Sequence, residues 1–551
     1  RMPDDPPLIR TTPSAAWPGW RARLTHVWAS SLEAVTSQTI PKRLSVTPPD
    51  PWPGDPAAGA QLMRDWTAGS LRWDATSLHG FAWLRDLRTL GGGDARNCAQ
   101  ELTIDWLSRY ATYSARSGQA WRADILAARQ VAWLSHFDLF YNTAPESLRR
   151  ELFSTLSRQH RRLRWTAARE VDGLLRLIAL KGLLYGTLCL SFPKSLAKAL
   201  SLLEAEIAAQ INLDGGYQDR DPTSQVALVQ HLVDIRALLN ASEMTGSKTV
   251  NTAIRHTAPL VRMLRHRDGK LAHFNGGGES DSGLIDLTLA QANIRIRTRS
   301  SAPDSGYERL SAGKVLVLVD TGAPAPRNSH WGGQRSSHSG TASFELSFGR
   351  ERLIVNCGDA RYAEPEWRGV GRATAAHSTL SVGDMNSSEI TSKGGDSARI
   401  AVVSRERNDA EGNTWLTVSH DGYTVPFGLT HRRRLFLSAS GVDLRGEDTL
   451  IQNPESGQNT NNRPPFTIRF HLHPAVTASL IQDGAAVLLR LPSGTGWRFR
   501  VAGASLALTE SIYLTVTETK RTQQIVLAGR TGDNSETAVK WSLRQEGGDK
   551  T

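Results

Sequence analysis

Residues 336–382, SSHSGTASFELSFGRERLIVNCGDARYAEPEWRGVGRATAAHSTLSV, decide how the second half of the chain is read. The run 342–348 alternates, Gly349-Arg350 makes a turn, and 352–356 continues on the other side, which is the pattern of a β-hairpin. Two histidines stand at strand entries in small-residue settings, His338 in a Ser-Ser-His-Ser-Gly bend and His377 in Ala-Ala-His-Ser-Thr. A histidine placed so either faces a cleft or hydrogen-bonds the turn that carries it, and the residues alone leave both readings open.

Outward from this hairpin, short alternating runs recur from Tyr307 to the C-terminal region, at 315–320, 378–382, 399–405, 414–419, 433–437, 442–450, 467–473, 486–491, 497–501 and 523–528. Runs of this length predict antiparallel sheets packed as a sandwich. Before residue 268 the period changes. Leu78, Phe81, Leu84 and Leu87 recur at three-residue steps with Trp83 beside them, and Gly91-Gly92-Gly93 ends the run, so a helix is predicted there. Further helices are predicted at 98–113, 123–141, 146–165, 171–190, 194–210, 224–243 and 248–264, and a short one at 17–37. Many helices with short connections indicate antiparallel pairs in a bundle, a solenoid or a toroid. The segment 48–55, PPDPWPGD, is excluded from regular structure by its prolines and reads as a linker or an ordered arm. The fold class is therefore α+β, helices first and strands second.

A chain of 551 residues exceeds one core. The expected division is a proline-rich arm over 1–60, a helical domain over 61–300 and a β domain over 301–551. No run reaches the roughly 18 apolar residues of a membrane span, and no partner membrane is expected. The opening residues lack the apolar core of a secretory signal, and the expectation is the cytoplasm or the periplasm. Three widely spaced cysteines, Cys98, Cys189 and Cys357, give neither a disulfide framework nor metal-ligand spacing. The formal charge of +11 rests on arginine, since only 11 of the 65 basic residues are lysines. Arginine forks suit carboxylates and sulfates, which points to an acidic polymer unless the excess is compositional. No nucleic-acid motif accompanies that charge, and no nucleic acid is expected as a partner.

Four motifs in order carry a resemblance: LHGFAWLRDL at 78–87, DGGYQDRDP at 214–222, SHSGTASFEL at 337–346 and AAHSTLSV at 375–382. Together with helices followed by a sandwich, they resemble the heparinase II/III-like polysaccharide lyases, and most of all the bacterial members designated heparinase II/III family proteins. The resemblance implies an N-terminal (α/α) toroid followed by a C-terminal antiparallel β-sandwich, and β-elimination on a uronate-containing acidic polysaccharide or oligosaccharide. That reaction needs a base for the C5 proton, neutralisation of the carboxylate and an acid for the leaving O4. The family's amide position matches Gln225, with Arg220 just upstream as a substrate-binding cation, a site role that is preferred although Asp221 with Thr223 or Ser224 can at the same time cap the next helix. The family tyrosine has no match between Val250 and Arg267, which leaves Tyr217 for the acid. His273 and Asn275 lie in HFNGGG, where glycines permit close approach to a sugar.

His338 matches the family's histidine and is the preferred base, with His273 as the other candidate, while His377 and Arg372 are assigned to substrate binding. Some relatives bind zinc through two such histidines and an aspartate. Here Asn356 stands where the aspartate would be, so His338, Asn356 and His377 are weak metal candidates and no cofactor is expected. His471 and His473 fall on one face of a strand with Arg469, and Trp83, Trp106, Trp121 and Trp133 could stack on sugars or fill a core. The absent tyrosine and Asn356 also support an acidic-glycan-binding protein without turnover. A glycoside hydrolase would need two facing carboxylates, for which Asp214, Asp219, Asp221 and Glu279 are at hand.

Overall fold

The protein is described by a computed structural model over residues 40–114, 117–244, 247–278, 280–295, 297–325, 338–359, 367, 370–389, 400, 403–453, 463–515 and 518–547. The helix expected at 17–37, the strand start at 399 and Glu279 lie outside the described residues. Two compact units are present: Arg1–Gln210 with Gln230–Ile254, and Ile211–Val229 with Arg255–Thr551.

The first unit is helical. Its helices include Pro56–Thr67, Trp83–Leu90, Gly92–Tyr110, Ala123–Ser135, Glu146–Thr166, Gly173–Cys189 and Pro193–Gln210. Ala123–Ser135 lies against Gly173–Cys189 so closely that a Cβ on Gly182 would come within 2.5 Å of the Ala127 methyl, which is why glycine stands at that crossing. The single helix expected through Leu78 and Leu87 is broken. A four-residue turn, Thr76–His79, precedes Trp83–Leu90, and between them Phe81 adopts φ 58°. A left-handed residue costs about 1–2 kcal/mol. Phe81 offsets it by complete burial against Trp83, Trp106 and Trp133, at ring separations of 4.6, 5.8 and 5.1 Å, and burying such a ring is worth about 1.5–3 kcal/mol. The four tryptophans weighed as sugar platforms are core residues. The segment 48–55 is an ordered arm: Asp50 accepts from Arg85 and from His136, and Trp52 donates its indole N–H to Asp234 at 2.6 Å.

The second unit carries the strands, taken in chain order: β1 (Ser301–Ala302), β2 (Tyr307–Ala312), β3 (Val315–Asp320), β4 (Phe344–Phe348), β5 (Glu351–Val355), β6 (Leu380–Val382), β7 (Val403–Ala410), β8 (Asn413–Tyr423), β9 (Leu429–Leu437), β10 (Asp443–Gln452), β11 (Pro465–Leu472), β12 (Thr477–Ile481), β13 (Ala486–Arg490), β14 (Gly496–Ala502), β15 (Ser505–Leu514), β16 (Thr519–Arg530) and β17 (Glu536–Gln545). Among the described residues they form two antiparallel sheets. One runs β1-β2-β3-β4-β5-β11-β16-β15, with β6 also on β11, and the other runs β12-β13-β14-β17-β10-β9-β8-β7. The predicted hairpin is β4–β5, with a register shift between Leu346 and Ser347. The two sheets face each other across one apolar layer, in which Phe344 stacks on Trp541 at 5.6 Å and Phe470 meets Phe499 at 5.0 Å. Helices first and a two-sheet antiparallel sandwich second is the order that periodicity predicted. Among the described residues no helix is long and apolar enough to cross a membrane. Cys98, Cys189 and Cys357 are free and buried.

Candidate active site

His338 and His377 form a directional pair. A short 3-10 turn, Thr374–Ala376, delivers His377 to the start of β6, and its Nδ1 lies 2.7 Å from the Ala373 carbonyl. A carbonyl can only accept, so Nδ1 carries the proton. Burial pushes the His377 imidazole below its ordinary value and keeps it neutral, which leaves a lone pair on Nε2. That Nε2 is 3.1 Å from His338 Nδ1, which must then be the donor. The His338 tautomer follows: its Nε2 is the basic nitrogen. Thr374 donates to Ser339 O at 2.9 Å and Ser339 N–H to Arg372 O at 3.0 Å, fixing the two loops together.

A second knot surrounds Asp320 at the end of β3. Its carboxylate accepts from the Arg220 guanidinium and, at 3.0 Å, from Asn275 Nδ2. Arg220 also donates to Ser305 O, Gly306 O and Ala323 O, and lies 5.0 Å over the Tyr307 ring. The Tyr307 hydroxyl donates to Arg220 O and receives Asn275 Nδ2. Three non-glycine residues here are left-handed: Arg220 at φ 62°, Asn275 at 46° and Ala342, whose N–H donates to Asp320 O, at 64°. Such residues persist only where their surroundings over-determine them, and they gather at functional sites. A Cβ at Gly322 would come within 2.5 Å of the same guanidinium.

Glu345 on β4 ties a third loop in. One oxygen accepts the backbone N–H of His273 (3.1 Å) and of Asn356 (3.0 Å), and the other accepts His266 Nε2–H at 2.9 Å. Burial alone would raise the Glu345 carboxyl; the His266 hydrogen bond, aided by the nearby His273 and Arg352, holds it instead at about 2. Burial and Arg352 depress His266, so the pair is carboxylate and neutral imidazole, with His266 Nδ1 accepting from Ser347 at 2.9 Å. The His273 ring packs on Tyr513, its Nε2 3.5 Å from that hydroxyl.

The structure thus brings Arg220, Asn275, His273, Asn356, His338, His377 and the backbone of Arg372 into one continuous network, all but Arg372 being buried. Gln225 and Tyr217 adjoin it but are turned inward: Gln225 donates to Gly215 O (2.9 Å) and Thr257 O (3.0 Å) and accepts the Tyr217 N–H (2.7 Å). Asp221 caps the helix Pro222–Ala241 through Thr223 N–H, and Asp214 accepts from Ser305 and Gly216. His471 is held by Ser511 and Ala375 O, while His473 lies by Tyr513. The zinc donor set does not fit. Among the described residues no group of three or more histidines, cysteines or carboxylates could hold a metal, and the Asn356 oxygen already accepts Ser378 N–H at 2.9 Å. The other end of that amide, Nδ2, has no hydrogen-bond partner among the described residues.

Sequence reasoning passed over Asp320, Glu345 and Tyr513. It also passed over the fully buried pair Arg433–Asp448, whose guanidinium donates to Ala342 O (2.9 Å) and Ser378 O (2.7 Å) at the foot of the histidine loops. The signal for Asp448 was available, a charged residue in phase with Leu444 and Leu450 on the inward face of β10, whereas Glu345 alternates with Phe344 and Leu346 and so reads as an outward position.

Comparison with known proteins gives the family of the chain and its fold. Residues 295–542 match the family model described as "Heparinase II/III-like, C-terminal". FtsZ-localized protein C of Caulobacter vibrioides is 30% identical over 544 residues, spanning 92% of this chain and 91% of its own. The chain belongs to the heparinase II/III-like family. Among solved structures, heparinase III superposes with a TM-score of 0.70 at 14% identity, over 96% of this chain and 90% of that one. A heparan sulfate lyase of Pedobacter heparinus gives 0.63 at 14% identity, over 95% and 88%. At such identities the likeness is one of fold, and it gives this family member the α/α toroid and β-sandwich that the motif resemblance implied.

Proposed function

We propose that the protein cleaves a uronate-containing acidic polysaccharide or oligosaccharide by β-elimination, with His338 as the base. The observation that supports this reading is the Ala373–His377–His338 hydrogen-bond direction, which puts a lone pair on His338 Nε2. His338 takes the C5 proton, the C4–C5 double bond forms, and the C4–O4 bond breaks as O4 is protonated. Arg372 is half-buried, with a pKa that burial lowers despite Asp359, so an anionic substrate offsets its desolvation; we assign it to the carboxylate. Tyr217 and His273 are the candidates for the acid.

Incubation with a panel of uronate polymers should produce the near-ultraviolet absorbance of an unsaturated uronate. His338→Ala should lower the rate by about 10²-fold or more, the usual contribution of a general base. Tyr217→Phe and His273→Ala are expected to differ in the alkaline limb of the pH profile, identifying the acid. No absorbance with any polymer, or an unchanged rate in His338→Ala, would remove this reading.

A second reading is favoured by Gln225 and Arg220, whose donors go to internal acceptors where a lyase would aim one at the substrate. On it, the same scaffold binds an acidic glycan without turnover. The relative named for localisation with FtsZ, a name without an activity, fits this reading. It predicts salt-sensitive binding of the same polymers with no product.

A further inference from the structure

The outer face of the β12-β13-β14-β17-β10-β9-β8-β7 sheet, opposite the face that buries Arg433 and Asp448, carries a charged groove. Inward positions of β9 (His431, Arg433, Leu435) are buried, so Arg432, Arg434 and Phe436 point outward. Register aligns three rungs across this face. One runs Trp415, Phe436, Arg445, Ser542, Arg500 over β8, β9, β10, β17 and β14. At about 4.8 Å per strand it spans roughly 19 Å. The flanking rungs add Arg434, Glu447 and Lys540 on one side and Asp443, Arg544 and Arg498 on the other. A hollow of about 470 Å³ opens over the first two rungs and a second of about 400 Å³ over the third, and they share Arg445, Arg500 and Ser542.

We propose that this groove binds an anionic glycan chain bearing carboxylates. Six cations face three carboxylates: Glu447 beside Arg434 and Lys540, Asp443 beside Arg445, and Glu546 beside Arg498. Arg500 is exposed and makes no ion pair among the described residues. The charge is matched to a polyanion laid across the strands. At one end Trp415, 40% exposed, and Phe436, 5.1 Å from it, offer ring faces on which a sugar can stack, with Arg445 5.6 Å over Phe436. The apolar rings line a hollow, whereas insertion into a bilayer needs apolar groups that protrude. This surface is separate from the His338 network and does not depend on that network turning over substrate.

Affinity electrophoresis and calorimetry with polygalacturonate test the proposal, with dextran, phosphatidylglycerol vesicles and single-stranded DNA as further arms. The wild type should bind polygalacturonate and not dextran, with affinity falling as salt rises. Arg445→Ala with Arg500→Ala should weaken binding about tenfold, and Trp415→Ala several-fold, with no loss of thermal stability because these side chains are exposed. His338→Ala should leave this affinity unchanged whatever it does to turnover, so failure of the elimination reading and failure of this one are distinguishable. The proposal is overturned if the wild type does not bind polygalacturonate, if the double variant binds it as the wild type does, or if these substitutions abolish binding to vesicles or DNA and not to the glycan.

Discussion

Replacing Arg433 by methionine should unfold the sandwich from its centre. Arg433 Nε and Nη2 donate to the two oxygens of Asp448 at 2.8 and 3.0 Å, and both side chains are wholly buried. Without the guanidinium, the donors left to Asp448 among the described residues are His431 at 2.8 Å and Trp541 at 2.9 Å. Stripping one partner from a buried pair costs about 3–5 kcal/mol. Ala342 O and Ser378 O also lose their donor, at about 1–3 kcal/mol each, although the contributions overlap because all pass through one group. A total near 5 kcal/mol is expected, against the roughly 5–15 kcal/mol that hold a typical domain folded. Arg433→Lys keeps the charge but not the fork and should cost about half as much. Arg433→Met with Asp448→Leu removes both charges and should recover at least half of the single-variant loss. Urea unfolding followed by tryptophan fluorescence measures all three, and the lysine and double variants remain informative if the methionine variant does not fold. A methionine variant within 1 kcal/mol of wild type, or a double variant no more stable than the single, would refute the reasoning.

Acidification should destabilise the fold in two stages. His266, His377, His420 and His431 are held below their ordinary value of 6.5, chiefly by burial, so as pH falls below that value the unfolded chain gains protons that the fold refuses, at about 1.4 kcal/mol per unit for each. Glu345, at about 2, and Asp448, also depressed, contribute stability above their unfolded values that is lost as pH drops towards the folded ones. Urea midpoints that stay flat from pH 7 to pH 5 would contradict the neutral histidines. Gly340→Ala would place a Cβ 2.5 Å from His377 Cδ2 and 2.9 Å from its Nε2; the pinned ring must move off His338, and turnover should fall about tenfold for an overpacking cost of about 1–3 kcal/mol. Asn356→Asp supplies the anionic ligand that the two histidines lack. Their nitrogens, 3.1 Å apart, are near the roughly 3.3 Å that two tetrahedral zinc–nitrogen bonds require. Equilibrium dialysis should find zinc retained by the variant and not by the wild type, and equal retention would sink the donor-set argument.

Strand β3 was legible to the residue because VLVLVD is an unbroken β-branched and apolar run, buried throughout. Strands β12, β15 and β17 were not, because their faces are too exposed or too mixed for alternation to stand out. The site divides in the same way. DGGYQDRDP, HFNGGG and the two histidine steps could be singled out, since glycine, asparagine and histidine at loop ends announce unusual backbone. Which atoms those side chains use could not. Gln225 is as suitable in sequence as an asparagine would be, and only its three internal hydrogen bonds assign it to the loop.

By itself, then, the sequence determined helices before strands, the hairpin at 342–356, three isolated thiols and the loops where chemistry was to be sought, because periodicity, turn residues and spacing are local properties of a chain. Tertiary structure decided the rest. Residues as distant as Arg220 and Asp320, or His266 and Glu345, meet only once strands have paired. The proton on His338 follows from a carbonyl two partners away, through a hydrogen-bond direction that no spacing encodes. The basic groove on the outer sheet likewise exists only through register, which sets Arg445 between Phe436 and Ser542 although roughly 100 residues separate the last from the other two.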